Sequence, residues 1–433
     1  MKLTINNSIS QIEGFTPDQF RMIRRILSYE RSEQEKFYMG HHRGLIPLID
    51  RKGYFPTGLT DLLKAYLHLE HIEYTVQDLR KRPPRSKHVR NISLPFAPHQ
   101  FQIDAAAAAA VTHDRGCVVA PTGSGKSVII ALLIHTFNVK TLIVVPTLYL
   151  KQQLTVSLTQ YFGSMLNITV ENIDSKALKA PGDYDMVIID EAHHTAAKTY
   201  RDLNKKFWNG IYYRFFLTAT PVRNRENEQI LLESVTGEVI YELSYEEAIA
   251  AGTIVPLCAY YVDAPKVEIT EHYWKGVYNQ LVVDNPDRNK RIMDLLWLRH
   301  MQRIPTLCLV KEIRHGDLLT MDGAFLFANG KNDLTREYIS RFNEKNAYIL
   351  IGTQQILGEG VDTVPAEVVI IAGMGKSIPQ FQQAVGRVLR VSPGKTHGTV
   401  ILIRDGSHKY GIAHFNAQKK ILLSEYGVKV EKL

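Results

Sequence analysis

From about Ala97 onward, short apolar runs alternate with stretches of helical character. Cys117–Ala120, Thr141–Val145, Met186–Ile189 and Phe215–Leu217 form one series. A second begins after Pro256, with Thr306–Val310, Ala324–Phe327, Ala347–Ile351, Val368–Ala372 and Thr399–Ile403. Short buried runs separated by helical stretches predict parallel strands joined by crossover helices. The alanine run Ala105–Ala110 predicts one such helix, and Val128–Leu133 another. The pattern therefore predicts an α/β chain with two parallel-sheet lobes.

Residues 1 to about 80 read differently, as a small α/β domain. Ile49 to Phe55 predicts strand, turn, strand, with Gly53 in the turn. Thr60 to Leu69 predicts a helix whose apolar face is Leu62, Leu63, Tyr66, Leu67 and Leu69. Lys81 to Arg90 carries two prolines and five strong bases. That composition fits an extended, solvated linker, and equally one lying along a phosphate backbone. The expected domains are 1–85, an N-terminal domain with its basic linker; 86–253, a first α/β lobe; and 254–433, a C-terminal lobe.

A length of 433 residues suits that division, at about 150 residues per domain. No apolar run approaches the roughly 18 residues of a membrane span. Met1 to Ser10 has no secretory pattern. The chain is therefore expected to be intracellular, without a membrane partner. Lys and Arg outnumber Asp and Glu by 52 to 44, a formal charge of +8. This modest excess favours a polyanionic partner without deciding it. Cys117, Cys258 and Cys308 lie far apart in apolar runs, which fits core packing and a reducing compartment.

Candidate chemistry begins at Ala120-Pro121-Thr122-Gly123-Ser124-Gly125-Lys126-Ser127, after an apolar strand and at the head of a helix. That is the setting of a phosphate-binding loop. Glycines let backbone N–H groups turn toward phosphate, and the helix N-terminus adds its dipole. Lys126 would meet the β- and γ-phosphates, and Ser127 would ligate Mg²⁺. Met186–Ile189 then ends in Asp190-Glu191-Ala192-His193. Carboxylates at a strand's C-terminal end stand where ligands bind in open α/β sheets. Asp190 would hold the metal, and Glu191 would orient and deprotonate water. Either acid alone could be ordinary surface. Thr218-Ala219-Thr220 could relay the state of the acidic site, or form a turn before Pro221. In Gln383 to Arg390, Arg387 and Arg390 are expected on one helical face, placed to stabilise transition-state charge. Gly358-Glu359-Gly360-Val361-Asp362 offers close backbone approach to nucleic acid, with the Thr353 hydroxyl nearby.

Together these residues resemble the superfamily-two DEAH-box helicases over about residues 96 to 405, in the family's order. The resemblance implies two RecA-like lobes using ATP and Mg²⁺. It likens Gln102 to the residue that reads adenine, although His99 stands where the family has arginine. Gly360, Asp362 and Gln383 join the nucleotide-binding set, with Arg390 as the arginine finger. Pro146 and Thr147 fall at a motif that touches nucleic-acid phosphates, as do Thr353 and Gly358. The pattern Phe37-x-x-Gly40-x-x-x-Gly44-x-Ile46-x-Leu48, followed by Phe55-Pro56-x-Gly58-Leu59, is similar to phage branch-migration helicases of the UvsW group, and more distantly to XPB and RecG. It implies DNA, branched or forked, with His41, His42, Arg43, Arg51 and Lys52 near the DNA. A monomer would suffice. The expected activity is DNA helicase or branch-migration enzyme. A duplex translocase without strand separation, an RNA helicase and a catalytically dead scaffold are the alternatives.

Overall fold

The computed structural model describes residues 1–30, 45–84, 86, 91–112, 114–179, 183–191, 198–219, 226–321, 323–357, 363–373, 375 and 377–433. Contacts divide the chain into two units: Met1–Ala120 with Gly125–Leu243, and Pro121–Ser124 with Ser244–Leu433.

The first unit is built on a six-stranded sheet, all of it parallel. Its order is Val239–Glu242, Arg115–Val119, Tyr213–Thr218, Met186–Ile189, Thr141–Val145, Ile168–Asn172. The four inner strands are buried along their whole length, which is why they read as unbroken apolar runs. The edge strand Ile168–Asn172 alternates buried and half-buried positions. Its period-two signal is weaker, and its polar Thr169, Glu171 and Asn172 hide it in the sequence.

The second unit is a seven-stranded sheet, also all parallel. Its order is Leu326–Ala328, Ile349–Thr353, Thr306–Val310, Val368–Ile371, Gly398–Arg404, Leu257–Asp263, Val430–Lys432. One apolar cluster, including Ile292, Leu296, Val310, Ile351 and Ile370, fills one side of this sheet. Both sheets have the architecture of RecA-like helicase lobes.

The N-terminal residues form a four-stranded sheet in the order Tyr54–Pro56, Ile9–Glu13, Lys2–Ile5, Thr75–Asp78. The turn at Gly53 is present, with φ of +83°, and Asp50 Oδ1 accepts from Lys52 N (2.8 Å) and Tyr54 N (2.9 Å). The flanking strands do not pair with each other, contrary to the expected strand–turn–strand. Tyr54–Pro56 joins Ile9–Glu13, and Leu45–Pro47 joins Ser28–Glu30. The helix Thr60–Leu69 forms as expected. Its buried face is Leu63 and Leu67, with Leu59 just ahead, whereas Leu62 and Leu69 are exposed.

This small sheet is fastened to the rest of the first unit. Ser8 Oγ donates to Asn204 O (2.8 Å), and Arg115 Nη2 donates to Asn7 O (2.6 Å). The fully buried Arg214 donates to Ser8 Oγ (3.1 Å), Ile211 O (3.0 Å), Trp208 O and Asn204 Oδ1. At Gly58 an added Cβ would stand 2.0 Å from Glu233 O, so the two backbones meet with no room for a side chain. The basic segment that follows is not simply solvated. Arg82 Nε donates to Tyr213 Oη (2.8 Å), and Ser86 exchanges bonds with Asn138 (3.0 and 3.1 Å). Among the described residues no helix is long and apolar enough to cross a membrane.

Candidate nucleotide site

The strand Arg115–Val119 runs straight into the loop. Ala120 is fully buried, and its N–H donates to Thr218 O (2.9 Å) in the neighbouring strand. Ser124 Oγ closes the bend on Pro121 O (2.8 Å). Gly123 and Gly125 take φ of +94° and +80°, left-handed values that a side chain would strain. The helix Lys126–Phe137 then begins with Gly125 as its N-cap and no side-chain cap. Val128 N donates to Gly125 O (2.9 Å), and the helix N-terminus faces the loop with no side chain over it, the setting in which anions bind. Gln102 is buried on the helix Gln100–Thr112 and packs beneath the loop. A Cβ on Gly125 would come 2.7 Å from its Nε2. Its Oε1 accepts from His99 N (3.0 Å).

The acidic pair stands at the end of the central strand Met186–Ile189. Asp190 N donates to Val144 O (3.0 Å), which fixes the strand end, and Glu191 N donates to Asp190 Oδ1 (3.0 Å). Glu191 has φ of +55°, a left-handed conformation unusual for a residue with a side chain. Such strain gathers at functional sites. Lys126 Nζ lies 3.9 Å from Glu191 Oε1, so loop and acids share one place. Burial, and then the Glu191 carboxylate, push the Asp190 carboxyl up to about 6 against the opposing pull of Lys126. A carboxylate so burdened is relieved by a cation.

These features fit a polyphosphate and its metal. The loop presents a helix N-terminus without a side-chain cap and a lysine, and Asp190 is a crowded, half-buried carboxylate. Among the described residues no cluster of His, Cys, Asp and Glu could hold a metal ion by itself. A cation here would take Ser127 and Asp190 from the protein and its remaining ligands from phosphate and water. Ala192, His193 and Thr220 lie outside the described residues. Thr218 is buried.

In the second unit, Gln383 and Arg387 both lie buried on the helix Ile378–Leu389. Arg390 does not share that helix, contrary to the expectation of one helical face. The helix ends at Leu389, and Arg390 is extended (φ −63°, ψ 137°), forming a bridge with Ile254. Lys395 was not anticipated. It is buried, and its Nζ donates to Arg390 O (2.8 Å) and Ala366 O (2.6 Å). It thereby holds the backbone that carries Arg390. Burial lowers its pKa to about 8, and nothing in the sequence around it signals the role.

The residues expected on nucleic acid fare unevenly. Pro146 and Thr147 follow the strand Thr141–Val145, where Thr147 Oγ1 accepts from Leu150 N (3.2 Å) as the N-cap of Leu148–Phe162. Beside them Leu148 and Tyr149 are exposed, a flanking feature the sequence reading passed over. Thr353 is buried at the end of Ile349–Thr353, so its hydroxyl is not on the surface as expected. Arg51 and Lys52 are exposed at the Gly53 turn. Arg43, Gly358, Gly360 and Asp362 lie outside the described residues, as do His41 and His42.

Comparison with known proteins agrees with this arrangement. The family described as "Type III restriction enzyme, res subunit" matches residues 93–179 and 166–223, and "Helicase conserved C-terminal domain" matches 289–392. Helicase 22 of the Sulfolobus islandicus filamentous virus is 24% identical over 344 residues, 66% of this chain and 60% of that protein. The DNA 3'-5' translocase XPB2 of Sulfurisphaera tokodaii is 26% identical over 423 residues, 82% of this chain and 93% of that protein. The chain thus spans about three-fifths of the viral relative and nearly all of the archaeal one. In fold, it is similar to a fragment of the HsdR subunit of a type I restriction enzyme from Vibrio vulnificus. The TM-score is 0.59 at 18% identity, covering 79% of this chain and 69% of that one. With a nucleotide-type loop and acid pair in one sheet and both conserved helicase domains in order, the chain belongs to the superfamily-two helicases, the nucleic-acid helicases and translocases that hydrolyse ATP.

Proposed function

We propose that this chain is an ATP-driven DNA helicase that remodels branched DNA such as forks and Holliday junctions. The observation that carries the enzymatic part is the meeting of Lys126 with Glu191, 3.9 Å apart, beside the half-buried Asp190. Loop amides and Lys126 bind the β- and γ-phosphates. Ser127 and Asp190 hold Mg²⁺, which when bound neutralises phosphate charge and polarises the γ-phosphoryl group. Glu191 orients the attacking water and takes its proton as the water oxygen bonds to phosphorus and the bond to the ADP oxygen breaks. Gln102 selects the base. Arg387 and Arg390 stabilise the charge that develops on the transferred group.

DNA is favoured over RNA by the archaeal relative, whose name specifies a DNA translocase. A branched substrate is favoured by the Phe55-Pro56-x-Gly58-Leu59 pattern and by the exposed Arg51 and Lys52. The test is a panel of forked, four-way and linear DNAs scored for ATP-driven unwinding, with Lys126→Ala as control. The expected result is unwinding of the branched substrates, abolished in the variant while DNA binding persists. ATPase stimulation by RNA alone would overturn the DNA assignment. The same relative supports a second reading, translocation on duplex without strand separation. Triplex displacement with no unwinding of any fork would select it.

A further inference from the structure

A cavity of about 40 Å³ in the second unit is used by none of the motifs described above. Its lining includes the carboxyl ends of two strands, and a third ends beside it. Lys311 follows Thr306–Val310, Gly373 follows Val368–Ile371, and Asp405 follows Gly398–Arg404. Thr306–Val310 and Val368–Ile371 are neighbours, and the chain leaves them toward opposite edges of the sheet. That is the topological switch point, where open α/β sheets place their ligands.

The walls are partly aromatic, and one lysine stands beside the rings. Trp274, Tyr278, His414 and Gln418 line the cavity. The His414 ring is 5.0 Å from Trp274, and Tyr410 meets Trp274 edge-on at 5.1 Å. Lys311 Nζ stands 4.9 Å from the Tyr278 ring centroid and 5.7 Å from that of Trp274. Lys275 and Lys419 are exposed next in sequence to the lining residues Trp274 and Gln418. The floor carries no unpaired acid, because Asp405 is bound by Arg288 through both oxygens (2.7 and 3.2 Å).

Two further observations point to an occupant. The Tyr278 hydroxyl is buried and has no hydrogen-bond partner among the described residues, a state that calls for an explanation. Above it sits Gly373, where an added Cβ would come within 2.6 Å of Tyr278 Oη. The absence of a side chain there keeps the approach to the hydroxyl open. The space would take about three waters at ~10–15 Å³ each, which matches the edge of one planar ring and excludes a whole nucleotide.

We propose that this pocket takes the edge of one unstacked base from a single strand of nucleic acid, stacked against Trp274 and His414 and bonded to the Tyr278 hydroxyl and the Gln418 amide, with Lys311 on an adjoining phosphate. The proposal rests on the reading that the chain acts on nucleic acid. A base has the aromatic face that such walls hold and the polar edge that a buried hydroxyl needs, and every base has both, so the site is sequence-tolerant.

The test uses the full chain and a single-stranded oligonucleotide carrying 5-iododeoxyuridine, cross-linked with long-wavelength light and mapped by mass spectrometry. Adducts are expected on peptides spanning 273–278 and 408–418. Trp274→Ala is expected to weaken single-strand binding about 5- to 150-fold, the range of one lost stacking contact, while an abasic strand binds variant and wild type alike. Tyr278→Phe, which keeps the ring and its packing, is expected to lower the cross-link yield. A strand that binds and stimulates ATP hydrolysis, yet cross-links only elsewhere and ignores Trp274→Ala, would overturn the pocket and leave the helicase reading intact. Absence of any strand binding or stimulation would overturn both. Labelling by free 5-iodo-dUMP but not by the strand would mark a mononucleotide site and refute the proposal as well.

Discussion

His315 ties the stability of the second unit to pH. It is fully buried on the helix Ile313–Leu319, with Nε2 2.9 Å from Asn289 Oδ1. Because that partner only accepts, Nε2 carries the proton. Nδ1 has no partner among the described residues, so a second proton would find no acceptor among them. Burial first, and then the Arg288 guanidinium, lower the imidazole pKa from 6.5 to about 3. In the unfolded chain the same ring titrates near its ordinary value. Between those two pKa values, the unfolded state gains a proton that the folded state refuses. The contribution is therefore fully present above about pH 6.5 and is lost as pH falls toward about 3. Linkage puts the loss at about 2 kcal/mol by pH 5 and about 3 kcal/mol by pH 4.

His315→Gln keeps a donor for Asn289 and cannot titrate. Urea unfolding would be followed by tryptophan fluorescence in a Trp208→Phe background, which leaves Trp274 and Trp297, both in the second unit. The stability difference between wild type and variant should move by about 2 kcal/mol in the variant's favour from pH 7.5 to pH 5. Carboxylates common to both proteins cancel in that difference. Parallel pH profiles would refute the reasoning, since they would mean that the folded state accepts the proton.

Other perturbations bear on the site and its scaffold. Glu191→Gln should lower ATP turnover about 10²- to 10⁴-fold with nucleotide binding retained by calorimetry, and undiminished turnover would remove Glu191 from the mechanism. Asp405→Ala would leave Arg288 buried without its carboxylate and should destabilise the second unit by about 3–5 kcal/mol in denaturant titrations, whereas an unchanged midpoint would show that the pair contributes little. Gly58→Ala drives a methyl into Glu233 O and should destabilise the first unit by about 1–3 kcal/mol, and a melting temperature equal to wild type would show that the two backbones part without cost.

The lobes were legible where burial was two-sided. Thr141–Val145, Met186–Ile189 and Thr306–Val310 coincide with the expected strands, because fully buried parallel strands are apolar throughout. Val239–Glu242 and Val430–Lys432 escaped notice because edge strands carry polar residues. The strands of the N-terminal sheet are short and gain their identity from pairings made far apart in sequence, as between Lys2–Ile5 and Thr75–Asp78. The loop and acids were legible because their chemistry demands fixed residue types. Arg390 was misread because helical spacing cannot show where a helix stops, and here the bridge to Ile254 stops it. Lys395 and Tyr278 were invisible because their significance is an acceptor or a vacancy supplied by distant segments.

The fastening of the N-terminal sheet limits how this protein can be cut or recombined. Removal of the first 85 residues would take away the Asn7 carbonyl and the Ser8 hydroxyl. Arg115 would lose the Asn7 carbonyl, and Arg214 would lose Ser8 while keeping Asn204, Trp208 and Ile211. It would also lay bare the backbone against which Gly58 rests. The N-terminal domain is therefore not portable. A graft of a different N-terminal domain would have to carry its own acceptors for two guanidiniums and its own glycine at the seam. Change in the opening residues is constrained by arginines more than a hundred positions away.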